Sequence, residues 1–473
     1  MDPLKPVDGL KFQPPATAPA RRHDDALPAD RAEFARGEDL LEVSRELARR
    51  AMAPRTAETP AESGPLSLII SAPDNGEREA LKKLFLDRDP RTRITVDLPL
   101  INAFAVELAP DAVGVLPSLG KVAQGVRVYL DNQMSIPEGE QEQDVRPALD
   151  TAAGTLDLQQ LWDRGLSGKD VAVAVIDTGV APHSDLGSRI IGFKDFVNGR
   201  TEPYDDQGHG THVAGTVAGD GKASEGRYKG AAPQASVVGI KVLDGRGSGS
   251  FSDVIAGIQW AVDNKDKYGI KVINMSLGGR ARQSYKDDPV AQAIEAAAAA
   301  GIVPCVAAGN SGPGAKTINT PAHALNALTV AASDDRGTVG RDDDRIASFS
   351  SRGPSPVDLL DKPDVSAPGV DITAADWRGG YRTLSGTSMA TPMVAGVAAL
   401  LLEARPDLTP AQVKGILMQT ADPIAATNAT AQGAGVIDPL EALDAPAPAP
   451  PTPPAPPEPA PPSEPPPTQP PPT

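Results

Sequence analysis

A single cysteine, Cys305, stands in a chain of 473 residues. It excludes an intramolecular disulfide and fits a reducing compartment, or a chain that never needed bridges. Aromatic residues make up only 4%, so a core must close on small and branched aliphatic side chains. Basic residues are outnumbered: 45 Lys and Arg against 62 Asp and Glu leave a net charge of −17. That balance argues against nucleic acid as a partner and favours solubility. No run approaches the roughly 18 apolar residues of a membrane span. Residues 1–30 are rich in proline and charge and lack an apolar stretch of secretory type, so the expected location is cytoplasmic. What the chain does have is 40% hydrophobic residues and 45 glycines, enough for an α/β core with close helix-to-sheet packing.

Residues 1–60 read as a polar extension, partly helical, with Phe34, Leu40, Leu41, Val43 and Leu47 at helical spacing over Ala32–Met52. Residues 61–134 read as a small α+β unit. Its strands are Leu66–Ile70, Arg93–Val96, Ala103–Leu108 and Val126–Leu130, and its helices Glu77–Leu86 and Asp111–Leu119. Residues 135–157 are polar and aperiodic, a linker. Within residues 158–444, short β-branched runs at Val171–Ile176, Ser236–Val242, Val272–Met275 and Ile302–Ala307 alternate with helical patterns at Ser252–Asn264, Asp288–Ala300 and Thr387–Glu403. Continuous apolar strands alternating with helices predict an α/β fold: a doubly wound, mostly parallel sheet with helices on both faces. Residues 445–473 are nearly all Pro, Ala, Thr and Glu, an extended polyproline spacer or a docking ligand.

Three short segments carry chemistry-bearing residues. Asp177 ends the apolar run Val173-Ala174-Val175-Ile176 and precedes Thr178-Gly179. At the carboxyl end of a strand it can orient an imidazole, or it is a turn residue. His209 and His212 lie in Gly208-His209-Gly210-Thr211-His212-Val213-Ala214-Gly215-Thr216; either suits a general base near neutral pH, and either could be a core histidine. Ser388 lies in Gly386-Thr387-Ser388-Met389-Ala390-Thr391-Pro392 and opens an apolar helix. There it is a helix cap, or a nucleophile whose oxyanion gains from unpaired N–H groups and the helix dipole. Cys305, inside a buried-strand pattern, reads as an inert core residue.

The three segments together, in the order Asp, His, Ser, resemble the subtilase family. The resemblance covers about Leu158 to Asp444. It implies a serine endopeptidase working through an acyl-enzyme, with Asp177, His209 and Ser388 as the triad and His212 structural. It implies that Asn310, in Ala308-Gly309-Asn310, donates to the oxyanion. Gly247-Ser248-Gly249 and Ser276-Leu277-Gly278 match the segments that flank an extended substrate. Phe251, Val254 and Leu277 would line an apolar pocket, and Asn319 would lie near the base of the primary pocket, giving a broad, mainly apolar or neutral preference. The residues at the base and oxyanion positions distinguish the chain from the sedolisin group, which uses Glu and Asp there. Residues 61–134 resemble the family's βαββαβ propeptide, implying a self-inhibited zymogen that processes itself between Asp131 and Gly154. The loop Gly219–Gly230 and Ser348–Pro354 look like the intracellular alkaline subtilases of bacteria. No cofactor is expected for the chemistry and no metal ligand is assigned. His183-Ser184-Asp185 resembles a calcium-bearing segment, but Lys222, Arg227 and Lys229 in the companion loop are poor company for calcium. Asp342, Asp343 and Asp344 could hold a cation or form a solvated acidic loop. Protein or peptide substrates are the expected partners, with the propeptide as intramolecular inhibitor. Two other readings stay open: a pseudoprotease that only binds peptides, and an adaptor recruiting partners through its Pro-rich tail.

Overall fold

The computed structural model describes residues 65–109, 125–137, 141–143 and 149–448. The helices expected over Ala32–Met52 and Asp111–Leu119, and the tail beyond Pro448, lie outside these residues.

The chain opens on a four-stranded antiparallel sheet: β1 (Leu66–Ser71), β2 (Arg93–Leu98), β3 (Ala103–Leu108) and β4 (Arg127–Leu130), in the order β2-β3-β1-β4. Helix α1 (Asn75–Arg88) follows β1, its first turn capped by Asp74, whose Oδ1 accepts from Glu77 N at 2.9 Å. Two short strands come next, β5 (Gln133–Ser135) and β6 (Gln141–Gln143), then helix α2 (Leu149–Thr155). Within 135–157, expected as a linker, the described residues thus include a short strand and a helix. Strands β5 and β6 are three residues long and pair with distant edges, so no local periodicity announces them. Ala152, Ala153 and Leu156 are also buried in the main core, which moves the start of that core upstream of residue 158.

The main sheet comprises β7 (Ala172–Asp177), β8 (Ile190–Asp195), β9 (Ser236–Lys241), β11 (Ile270–Met275), β12 (Val303–Ala307), β13 (Leu328–Asp334), β14 (Arg345–Ile346) and β15 (Val365–Pro368). The strand β10 (Ser248–Ser250) lies apart, and β16 (Ile372–Ala375) and β17 (Tyr381–Ser385) form a ribbon with β6. The order is β14-β13-β12-β11-β7-β9-β8, with β15 added on β13, and every pairing is parallel except β13 with β14.

Alternation along each strand divides the core. Val173 and Val175 face one layer with α3 (His209–Ala218) and α6 (Thr387–Ala404), represented by Val213, Val217, Met393 and Val397. Ala172, Ala174 and Ile176 face the other with α4 (Phe251–Asp263) and α5 (Pro289–Ala299), represented by Ile255, Ile258 and Ile294. Burial on both faces explains why these strands read as unbroken apolar runs. Among the described residues, α6 is the one helix long and apolar enough to cross a membrane, and 89% of that window is buried in the core.

The small sheet docks on the α4 and α5 layer. Ile69, Ala103, Ala105 and Tyr129 belong to its apolar cluster. Asp131 then caps the start of α4, accepting from Ser252 N at 2.9 Å and Ser252 Oγ at 2.7 Å. A carboxylate there also meets the positive end of the helix dipole. Arg127 reaches Asp287 ahead of α5.

Helices α3 and α6 pack together in the first layer, and α6 carries a glycine where it passes the Ala231-Ala232 turn. A Cβ on Gly396 would fall 2.6 Å from Ala231 Cβ and 3.2 Å from Ala232 N. Gly396→Ala should therefore cost about 1–3 kcal/mol by overpacking. Urea unfolding in a Ser388→Ala background, which prevents self-digestion, checks this; unchanged stability would mean the helices separate freely.

Candidate active site

Asp177 is the last residue of β7, near the middle of the sheet. The turn after it, Thr178-Gly179, receives the first turn of α3. Gly210 makes that approach possible, since a Cβ there would lie 2.1 Å from Gly179 O and 3.1 Å from Asp177 Cβ. Gly210 N donates to Thr178 Oγ1 at 2.9 Å. The result is a buried contact of 2.7 Å between His209 Nδ1 and Asp177 Oδ1. Asp177 Oδ1 also accepts from Thr178 N at 2.7 Å. A carboxylate fixed this way sets the ring's orientation and places the proton on Nδ1, leaving Nε2 able to accept one.

His212 sits three residues on and is wholly buried. Its Nε2 lies 3.0 Å from Ile372 O and 3.2 Å from Arg382 O, so this nitrogen carries the proton and donates. Burial, then the charges of Arg382 and His209, push its pKa down to about 3. A histidine held neutral in this way is a structural donor between β16 and β17.

Ser388 occupies the first turn of α6, after Gly386 and Thr387. Its Oγ donates to Ser276 O at 3.3 Å. In return Ser276 Oγ donates to Ser388 O at 2.9 Å. That acceptor is free because Pro392, four residues on, has no N–H to close the helical bond. The proline of the third segment thus lets the strand β11 region grip the turn that bears Ser388.

Asn310 follows β12. Its Oδ1 accepts from Thr387 N at 3.0 Å and Thr387 Oγ1 at 2.8 Å. Those two bonds fix the amide's orientation and turn Nδ2 into the cleft. There Nδ2 lies 3.5 Å from Pro137 O, the outer limit of a hydrogen bond.

The cleft is filled by the chain's own segment. Strand β5 pairs antiparallel with β10, setting Ser135 against Ser248, Met134 against Gly249 and Gln133 against Ser250. Ser135 N and O bond Gly278 O and N at 3.1 and 3.0 Å, and Ile136 N donates to Gly247 O at 3.0 Å. Gly247, Ser248, Gly249 and Gly278 therefore supply two edges with an extended strand between them. Met134 is buried in the same apolar cluster as Phe251, Val254 and Leu277. Asn319 lies against Gly278 and Gly309. Beyond three residues that lie outside the described set, β6 continues the segment and pairs with β17, Gln141 opposite Ser385.

Two groups near the site escape sequence reasoning. Buried Asp205 accepts from Gln207 N, Gly208 N, Thr211 N and Thr211 Oγ1 at 2.7–3.1 Å, which anchors the start of α3. Lys241, fully buried at the end of β9, donates to Thr178 O and Leu243 O at 2.7 Å and to Asp206 Oδ1 at 2.6 Å. Its signal in the sequence is slight: a lysine closing an apolar strand. Elsewhere, Asp185 is engaged by Ala223 N and Tyr381 OH. Cys305 is buried and its thiol is pushed up by desolvation, an inert core residue.

A buried Asp–His pair, a helix-borne serine, a neighbouring amide and a strand-binding cleft together define a serine endopeptidase of subtilisin-like fold. Residues 168–436 match the Subtilase family. Serine protease AprX of Bacillus subtilis (strain 168) is 43% identical over 375 residues, 75% of this chain and 81% of that protein. Subtilisin DY of Bacillus licheniformis is 42% identical over 261 residues, 54% of this chain and 86% of that protein. Fervidolysin from Fervidobacterium pennivorans, a keratinolytic enzyme related to subtilisin, superposes with a TM-score of 0.63 at 27% identity, covering 81% of this chain and 61% of that structure. The chain belongs to the subtilase family, and its chemistry calls for no cofactor.

Two outcomes follow. Asn310→Ala should lower kcat about 10²–10³-fold with little change in KM, the range measured on removing such a donor from subtilisin itself and carried over to this chain. A change confined to KM would mean Asn310 only positions Thr387. For His212, the folded pKa lies below the unfolded value of 6.5, so unfolding takes up a proton between those values. Its share of stability is full above about pH 6.5 and is lost as pH falls toward 3. Melting temperature against pH should drop less steeply for His212→Gln than for its parent, both in a Ser388→Ala background; parallel curves would contradict the assignment.

Proposed function

We propose that Asp177, His209 and Ser388 act as one unit and that Asn310 Nδ2, with the Ser388 N–H, receives the oxyanion. Ser388 Oγ attacks the substrate carbonyl carbon as its proton passes to His209. The C–N bond breaks, the leaving amine takes that proton, and an acyl ester remains on Ser388. Water repeats the sequence and frees the acid. Asp177 holds the ring and stabilises the imidazolium.

The observation that carries this reading is the strand already lying in the cleft. Residues 133–136 bind through main-chain bonds to the two glycine-bearing edges, a mode tolerant of sequence. Pro137 O then lies at the Asn310 amide, as a carbonyl about to be attacked would. By the same register, residues 61–134 are the inhibitory propeptide of a zymogen, and the bond processed is Pro137–Glu138. Pro137 has no N–H to offer Ser276 O, which keeps Ser388 Oγ as its partner instead. This supports a segment that inhibits first and is cut slowly. Met134 among Phe251, Val254 and Leu277 supports an apolar fourth pocket, and the neutral Asn319 supports apolar or neutral residues in the first. A cytoplasmic setting is supported by the lone, buried Cys305. The Pro-rich tail is a spacer or docking ligand.

Intact mass spectrometry of the purified chain beside Ser388→Ala tests the proposal. Wild type should lose the residues up to Pro137 while Ser388→Ala stays whole, and Pro137→Ala should be processed faster. Equal cutting of wild type and Ser388→Ala would defeat self-processing. If both stay whole and a fluorophosphonate fails to label a chain beginning at Glu138, the catalytic assignment itself fails and a peptide-binding role takes its place.

A further inference from the structure

Beneath the turn that bears Ser388 lies a buried asparagine with no part in the chemistry described so far. Asn274, on β11, is wholly buried. In the main sheet it stands opposite Val175 on β7 and Cys305 on β12. Val175 and Val272 belong to the layer that holds α3 and α6. Side chains alternate along a strand, so Asn274 and Ser276 follow Val272 toward that layer, and Asp177 follows Val175. One face of the sheet thus carries Asn274 and Ser276 beside the strand whose end bears Asp177.

Asn274 Nδ2 lies 3.0 Å from Ser276 Oγ, and Ser276 Oγ lies 2.9 Å from Ser388 O. The chemistry of these groups sets the direction of both bonds. A main-chain carbonyl only accepts, so the single proton of the Ser276 hydroxyl goes to Ser388 O. The hydroxyl oxygen must then accept from its other partner, which is therefore the amide nitrogen of Asn274 and not the amide oxygen. Asn274 Oδ1 is buried with no hydrogen-bond partner among the described residues. An amide oxygen left in this way is costly, and a leucine of similar size would carry no such cost. What the amide supplies in return is direction. A hydroxyl that faces an N–H must turn its proton elsewhere, and the bond it accepts strengthens the one it donates.

We propose that Asn274 is a positioning residue for the reaction, acting through Ser276 on Ser388. Its amide orients the Ser276 hydroxyl, which holds the Ser388 carbonyl that Pro392 leaves without a helical N–H. Ser388 Oγ is thereby kept 3.3 Å from Ser276 O, the reciprocal bond. This role rests on the reading of Ser388 as the nucleophile. Asn274 itself touches no reacting atom. Its effect is on aim, and a misplacement of about 1 Å costs on the order of 10²-fold in rate.

Asn274→Asp tests the direction of the chain. Aspartate has the shape of asparagine, but ionised it only accepts, and it competes with Ser388 O for the one hydroxyl proton; protonated, it donates as the amide does. In full-length chain that has processed itself, assayed at pH 8 on a peptide nitroanilide, kcat should fall about 10–100-fold with KM within about twofold of wild type. The ratio of variant to wild-type kcat should recover as pH falls, because a buried carboxyl takes up its proton above the usual carboxylate range. In a Ser276→Ala background, which has no hydroxyl to direct, the same substitution should change kcat by less than about twofold. Asn274→Leu, which buries no charge, covers the case in which the Asp variant folds poorly. It should lower kcat in the parent and leave it unmoved in the Ser276→Ala chain. Melting in a Ser388→Ala background reads any loss of stability separately. Equal losses of kcat with and without the Ser276 hydroxyl would mean that Asn274 only supports the fold, and unchanged kcat in the parent would mean that it has no bearing on the reaction; either outcome overturns the proposal. If wild type itself neither hydrolyses the peptide nor reacts with a fluorophosphonate, the nucleophile reading fails and this role falls with it.

Discussion

The active site depends on how closely the first turn of α3 approaches the end of β7. Gly210 brings the helix backbone against the Gly179 carbonyl, leaving no room for a side chain, and that distance sets the His209–Asp177 contact of 2.7 Å. Several neighbours serve this one approach. Asp205 ties down the loop ahead of the helix, Lys241 joins that loop to the ends of β7 and β9, and Thr178 receives Gly210 N. Lys241 is buried with a single carboxylate partner and two carbonyls. Such a group is poor evidence of stability but holds three backbone segments in one geometry.

Ser388 is positioned by a different device, the absence of a donor. A helix that begins with a reactive residue must keep that residue's carbonyl from drifting with the fraying first turn. Pro392 withholds the helical bond and Ser276 supplies one from the sheet. Asn310 does the same from β12 by taking both donors of Thr387. The turn bearing Ser388 is thus referenced to strands as well as to its own helix, and the parallel sheet becomes its frame.

That Asp177 meets His209, and that the segments at Gly247–Gly249 and Gly278 flank an extended strand, was legible in the sequence because each lies in a short contiguous segment whose residues act locally. The doubly wound sheet was legible because strands buried on both faces leave unbroken apolar runs. What was not legible depends on partners far away in the chain. Asp205 and Lys241 look like ordinary polar residues until the fold surrounds them. Strands β5 and β6 carry no pattern of their own, since their hydrogen bonds go to β10, Gly278 and β17. Asp344 reads as one of an acidic triplet that holds a cation or forms a solvated loop, and only the fold around it buries it.

The chain crosses its own active site from one sheet edge to another, with β5 held by β10 on one side and β6 by β17 on the other. Severing the backbone between these two grips would change connectivity without changing occupancy. Each new end would keep its own ladder of main-chain bonds, and the edge vacated last would decide when substrate enters. Under the processing proposed above, maturation would have two clocks, one chemical and one of dissociation, and the slower of them would set the moment at which the cleft opens to other chains.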